Sequence, residues 1–130
     1  MLNKIFVYGT LKAGLALDRP SLKKLRTKVE PATLPFGLYK IQWFPTINTN
    51  DPKHITNGEI HTYETESMKE VLSIIDEIEG FDPPFSEHSL FLRKTMTAIV
   101  NKKPTKVFVY EYNHKISLNN LIESGIWKGV

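Results

Sequence analysis

Ile5-Phe6-Val7-Tyr8-Gly9-Thr10-Leu11-Lys12 opens the chain with β-branched and aromatic side chains and then stops at a glycine. The run is short, rich in strand formers and closed by a turn residue, so it predicts a buried strand over residues 4 to 8. Glycine lets the backbone turn sharply and approach a ligand closely. The Tyr8-Gly9-Thr10-Leu11 turn is therefore suited to offering several N–H groups to one small anion, a carboxylate or a phosphate. A tight turn after a buried strand accounts for the glycine alone, but less well for the Tyr8 and Thr10 that flank it.

The second anchor lies downstream, where Met68, Val71, Leu72, Ile75 and Ile78 recur at helical intervals. Ser67, with Glu70 three residues on, has the spacing of a capping box, and Gly80 is a natural residue to end the helix. The last turn carries Asp76, Glu77 and Glu79. A helix C-terminus bears partial negative charge and favours cations, so these acids are electrostatically misplaced. Asp76 and Glu77 read as solvent-facing. Glu79 falls beside the apolar stripe, where a half-buried carboxylate near other acids acquires a raised pKa, the property of a general acid/base working near neutral pH.

Between these anchors, a short helix is expected near residues 20 to 27, with Lys23-Lys24-Leu25-Arg26-Thr27-Lys28 as its solvated face. Thr33 to Ile41 and Phe44 to Ile47 read as extended chain, residues 48 to 57 as a surface loop, and Gly58 to Tyr63 as a half-buried strand. Beyond the semi-rigid Phe81-Asp82-Pro83-Pro84-Phe85, Leu90 to Val100 and Lys106 to Tyr112 form two long strands. Asn101-Lys102-Lys103-Pro104 joins them as a hairpin. Ser117 caps a last short helix. Several strands with one strong helix do not alternate as in a doubly wound sheet, so the expected fold is α+β, a mixed sheet curled towards a barrel with the main helix packed outside.

The 130 residues are 41% hydrophobic and 24% charged, which fits a single domain spanning residues 1–130. No apolar run reaches the roughly 20 residues of a membrane span, and the N-terminal run is too short for a signal peptide, so a cytoplasmic protein without a membrane partner is expected. With no cysteine in the chain, disulfides, thiolate metal sites and a cysteine nucleophile are excluded. The net charge of +3 suits an anionic ligand but is too mild and scattered to indicate nucleic acid.

Other chemistries fail on particular residues. Gly9 to Gly14 has the glycine spacing of a phosphate loop, yet Leu15 and Ala16 stand where Lys and Ser or Thr are required. His54, His61, His88 and His114 show no metal-ligand spacing, so neither a metal nor a cofactor is expected. There is no nucleophile elbow for a serine hydrolase. Tyr39, Trp43 and Phe44 read as core aromatics rather than a cofactor cage.

One ordered set of motifs runs through nearly the whole chain: Val7-Tyr8-Gly9-Thr10-Leu11, Gly37-Leu38-Tyr39 before Phe44-Pro45, Gly58-Glu59-Ile60, Ile75-Asp76-Glu77-Ile78-Glu79-Gly80, Phe91-Leu92-Arg93 and Glu123-Ser124-Gly125-Ile126-Trp127. In this the sequence resembles the γ-glutamylcyclotransferase-like proteins, in particular the small γ-glutamylamine cyclotransferase branch. The resemblance implies a small mixed β-barrel with flanking helices. It implies a cavity between the loop Tyr8, Gly9, Thr10, Leu11, which would bind substrate, and one essential glutamate, which by position is Glu79. It also implies cofactor-free chemistry on a small γ-glutamyl molecule, whose α-amine attacks its own γ-carbonyl to give 5-oxoproline and a free amine. One position departs from the pattern: the family has Tyr two residues before the arginine that is Arg93 here, and this chain has Phe91, which keeps the ring at the substrate site and loses the hydroxyl. A non-catalytic module binding an amino-acid-like ligand in the same cavity is the competing expectation, and release of 5-oxoproline separates the two.

Overall fold

The first strand, β1 (Lys4–Val7), is apolar and buried from Ile5 onward because both of its faces are covered there. Phe6, and Tyr8 just beyond the strand, point into one core, while Ile5 and Val7 belong to a second. The computed structural model describes residues 1–129; Val130 lies outside them.

β1 is followed by a four-residue helix α1 (Pro20–Lys23), then β2 (Arg26–Leu34), β3 (Gly37–Ile41), β4 (Phe44–Asn48) and β5 (Thr56–Tyr63). The long helix α2 (Met68–Glu79) precedes β6 (Phe91–Val100) and β7 (Lys103–Tyr112). Five strands close a barrel in the order β1-β5-β2-β6-β7, while β3 and β4 form a separate hairpin. All neighbours in the barrel run antiparallel except β1 and β7, which pair in parallel at Ile5 and Phe108. The expected curled mixed sheet is thus a closed barrel.

Inside it, Phe6, Leu34, Ile60, Ala98, Val107 and Val109 pack together with Leu38 and Ile47 from the hairpin. Outside, α2 lays Met68, Val71, Leu72 and Ile75 against Ile5, Val7, Tyr63 and Tyr110. A twelve-residue helix is marginal alone in water; four buried apolar side chains, each worth about 1.5–3 kcal/mol, hold this one in place.

Several local expectations are corrected. The first helix stops at Lys23, and Arg26 already begins β2, where ladder pairing to β5 overrides the helical reading of the basic run. Its Arg26 is an ion-pair partner of Asp18 at 2.7 Å rather than part of a solvated face. The Ser67 capping box does not form: a 3₁₀ turn over Thr65–Ser67 puts Ser67 itself in helical geometry, whereas a capping side chain needs an extended backbone. The strand after the surface loop starts at Thr56, and β7 starts at Lys103 rather than Lys106. The hairpin is correspondingly tight, with Asn101 and Lys102 both at positive φ. Ser117 does cap a single 3₁₀ turn, Leu118–Asn120.

Candidate active site

Gly80 ends α2 in the left-handed conformation, φ 67° and ψ 36°. Phe81 N–H then bonds back to the Asp76 carbonyl at 2.9 Å and Gly80 N–H to Glu77 at 3.3 Å, the Schellman pattern. This fixes the last helical turn and with it the direction of Glu79. Leu90 N–H donates to the Gly80 carbonyl, which draws the following loop back across the helix end.

The three acids of this turn have separate environments. Asp76 is not solvent-facing as expected: it accepts from Arg93 Nη1 at 2.6 Å and from the Tyr110 hydroxyl at 2.5 Å. The Arg93 guanidinium also lies over the rings of Phe81 and Phe108, at 5.3 and 5.5 Å. Glu77 is exposed. Glu79 is half-buried, and among the described residues it has neither a hydrogen-bond donor nor a cation beside it. Its pKa is pushed from an ordinary 4.5 up to about 7, and burial alone is the cause; the neighbouring acids, invoked from the sequence, are not.

Glu79 lines a cavity of about 380 Å³ together with Tyr8, Gly9, Thr10, Leu11 and Phe91. All six residues singled out from the sequence therefore border one space. Gly9 is not in the left-handed region. What requires glycine there is proximity, since a Cβ would stand 3.0 Å from the Pro45 ring. The Tyr8 hydroxyl donates to the Tyr110 carbonyl, and burial, followed by the nearby Glu79 charge, holds its pKa far above the ordinary 10. Tyr8 is therefore a fixed neutral hydroxyl at neutral pH.

The loop after Tyr8 is held from several sides. Lys12 N–H returns to the Gly9 carbonyl and Leu17 N–H to that of Thr10. Glu59 accepts from Ala13 N–H and Asp18 from Gly14 N–H, each at 2.9 Å. Lys12 Nζ reaches the Trp127 carbonyl at 2.7 Å. Burial works against the Asp18 carboxylate, but hydrogen bonds from Arg26 and Gly14 outweigh it and hold the group below its usual range. His61, behind Glu59 at 2.9 Å, is held below its ordinary pKa chiefly by burial. Within this clamped loop the N–H groups of Gly9, Thr10 and Leu11 donate to no acceptor among the described residues. Three consecutive unused donors in one clamped turn are chemically suited to receive a small anion.

The same lining includes residues the sequence reading missed or misjudged. Trp43, expected in the core, is 66% exposed at the cavity. Tyr110 and Leu90 were not singled out; only the alternation of β7 carried a hint of the first. No Lys, Arg or His side chain borders the space, so the positive charge of the chain does not act there directly. Among the described residues no three His, Cys, Asp or Glu side chains cluster so as to hold a metal ion, and no helix is long and apolar enough to cross a membrane.

A family model described as gamma-glutamyl cyclotransferase, AIG2-like, matches residues 5–129. Among solved structures, the chain is similar to an AIG2-like protein from Mus musculus, with a TM-score of 0.65 and 17% identity over 98% of this chain and 88% of that one. The uncharacterized protein PH0828 from Pyrococcus horikoshii gives 0.60 and 19% identity over 95% and 88% of the two chains. YkqA from Bacillus subtilis gives 0.64 and 20% identity over 98% of this chain, which spans only 40% of YkqA. At these identities the likeness is one of fold. Comparison with curated proteins gave no significant match.

Proposed function

The chain belongs to the AIG2-like γ-glutamyl cyclotransferase family, and on that footing we propose that it is a cyclotransferase that closes γ-glutamyl amines to 5-oxoproline and releases the amine. The observation that carries this reading is Glu79, the one carboxylate among the described residues lining the cavity, with a pKa of about 7, in a space also lined by Gly9, Thr10 and Leu11, whose N–H groups are unused.

The reaction is intramolecular. The α-amine nitrogen of the glutamyl group forms a bond to its own γ-carbonyl carbon, and the bond from that carbon to the amide nitrogen breaks. Neither water nor an acyl-enzyme is consumed. Catalysis is then mostly a matter of holding the chain folded on itself, where effective molarities of about 10⁵–10⁸ M are attainable. The Gly9, Thr10 and Leu11 N–H groups would hold the α-carboxylate. Ionised Glu79 would take the proton from the attacking nitrogen and return it to the leaving nitrogen, so that it ends the cycle as it began. A pKa near the working pH suits a group that must do both. Tyr8, fixed and neutral, would border the reacting atoms, and Phe91 would wall the amine side.

The test is incubation with L-γ-glutamyl-butylamide, measuring 5-oxoproline and butylamine by mass spectrometry. The reading requires both products in equal amounts. Binding without either product would instead indicate a non-catalytic module, and glutamate in place of 5-oxoproline a hydrolase.

A further inference from the structure

The cavity is chemically lopsided. Its side-chain polar groups are Thr10 on the Tyr8 loop, Glu79, two tyrosine hydroxyls and the Trp43 indole N–H; the rest is apolar. Trp43, Phe44, Pro45, Ile78, Leu90 and Phe91 make up the part contributed by the β3–β4 hairpin, the end of α2 and the start of β6. That part holds no cation, amide side chain or hydroxyl. The two tyrosine hydroxyls elsewhere in the lining are already committed, Tyr8 to the Tyr110 carbonyl and Tyr110 to Asp76.

Two of these apolar side chains are exposed although their backbones are firmly set. Leu90, 43% exposed, donates its N–H to the Gly80 carbonyl and accepts from Asn113 N–H at 2.9 Å. Trp43 sits at the tip of the β3–β4 hairpin beside Gln42, whose φ of 50° forms the turn. Behind them, Phe91 packs on Phe44 and Tyr112 with ring centroids 5.8 and 5.6 Å apart, so this wall is rigid. Large apolar groups held open at the mouth of a cavity provide area for an apolar ligand to cover.

Resting on the cyclotransferase reading, we propose that the enzyme selects γ-glutamyl conjugates whose amine part is apolar and free of carboxylate, and that Trp43 is the residue that contacts that part and sets the preference. A leaving group with its own carboxylate, as in a γ-glutamyl amino acid, would bury a second anion near Glu79 with no cation in the lining to meet it. An alkyl or aryl amine meets no such penalty. In apolar sites even one methylene shifts selectivity by roughly 10- to 200-fold, so an aromatic ring against Trp43 should be easily read.

The experiment compares L-γ-glutamyl-benzylamide, L-γ-glutamylglycine and ε-(γ-glutamyl)lysine in two ways. kcat/KM for 5-oxoproline release should favour the benzylamide over both others by at least about tenfold. Trp43→Ala should shrink that ratio toward unity by lowering the benzylamide value most, with Trp43→Phe retaining most of the preference. In parallel, calorimetric binding to Glu79→Gln reads the preference without turnover. Tighter binding of the benzylamide with no 5-oxoproline from wild type would sustain the selectivity and sink the cyclotransferase reading. Equal or better use of the carboxylate-bearing conjugates, a uniform loss across all three in Trp43→Ala, or no binding of any conjugate would overturn the proposal.

Discussion

Arg93 Nη1 lies 2.6 Å from Asp76 Oδ2, while Glu79, three residues further along the same helix, has no cation beside it among the described residues. One turn of helix thus holds a carboxylate neutralised for structure and another left unpaired in a cavity. The two are told apart by partners, not by position in the acidic run.

Asp76→Asn is expected to behave as a structural variant. Removing the charge leaves the Arg93 guanidinium, itself partly buried, without its counter-ion, at a cost of about 1–3 kcal/mol. That corresponds to a Tm lower by roughly 4–11 °C, with turnover reduced far less than by loss of Glu79. Thermal melts and initial rates on the same preparations check both halves. Unchanged stability with a collapsed rate would move the catalytic role to Asp76.

Glu79 should make stability depend on pH in a particular direction. Its folded pKa, about 7, lies above the 4.5 of an ordinary glutamate, so between these values the folded state binds more protons than the unfolded chain. Stability therefore falls as pH rises from 4.5 to 7, by an amount on the order of 1–3 kcal/mol once solvent in the cavity is allowed for. Glu79→Gln should lack this decline. Denaturant melts of both proteins at pH 5 and pH 8 measure it, and parallel pH dependence in the two would show the carboxylate is not buried in this way. The same ionisation predicts an acid limb in kcat/KM with a midpoint near 7.

What the sequence showed, and what it hid, follows from how many forces each segment answers to. β1 was legible because Phe6 and Tyr8 face one core and Ile5 and Val7 another, so all four are apolar. Gly80 was legible because one residue decides the left-handed cap. β2 was not: Lys28, Glu30 and Pro31 obey no simple alternation, and the strand exists through its pairing with β5. Ser67 misled because the turn before it moved the helix start upstream. Glu79 could be picked from the apolar stripe, but Asp76 could not be set aside correctly, since its partners Arg93 and Tyr110 are 17 and 34 residues away. Trp43 failed for a related reason: residue type says aromatic, and only the hairpin's placement says that the ring stands open at a cavity.

Phe91→Tyr tests the position where the sequence resemblance implies a tyrosine in place of this phenylalanine. The ring is buried among Phe44 and Tyr112, and the substitution adds only one oxygen at the cavity wall, so the fold should persist. A hydroxyl bonded to a charged group contributes about 1.5–3 kcal/mol, and kcat/KM for at least one γ-glutamyl conjugate is expected to change by about tenfold or more. Superimposable profiles across a substrate panel would reduce residue 91 to packing.

Catalysis is expected to persist through exhaustive EDTA treatment, since the proposed ring closure calls on a carboxylate and backbone donors alone. Initial rates before and after chelation check this. Activity lost on chelation and restored by a divalent ion would require a different mechanism.

The central claim, that Glu79 carries the proton between attacking and leaving nitrogens, is met most directly by single-turnover release of 5-oxoproline from L-γ-glutamyl-butylamide by wild type and Glu79→Gln. The variant should remain folded and still bind the substrate while its chemical step slows by about two to four orders of magnitude. A Glu79→Gln rate within a factor of about three of wild type would contradict the account, because no other carboxylate among the described residues borders the cavity to take its place.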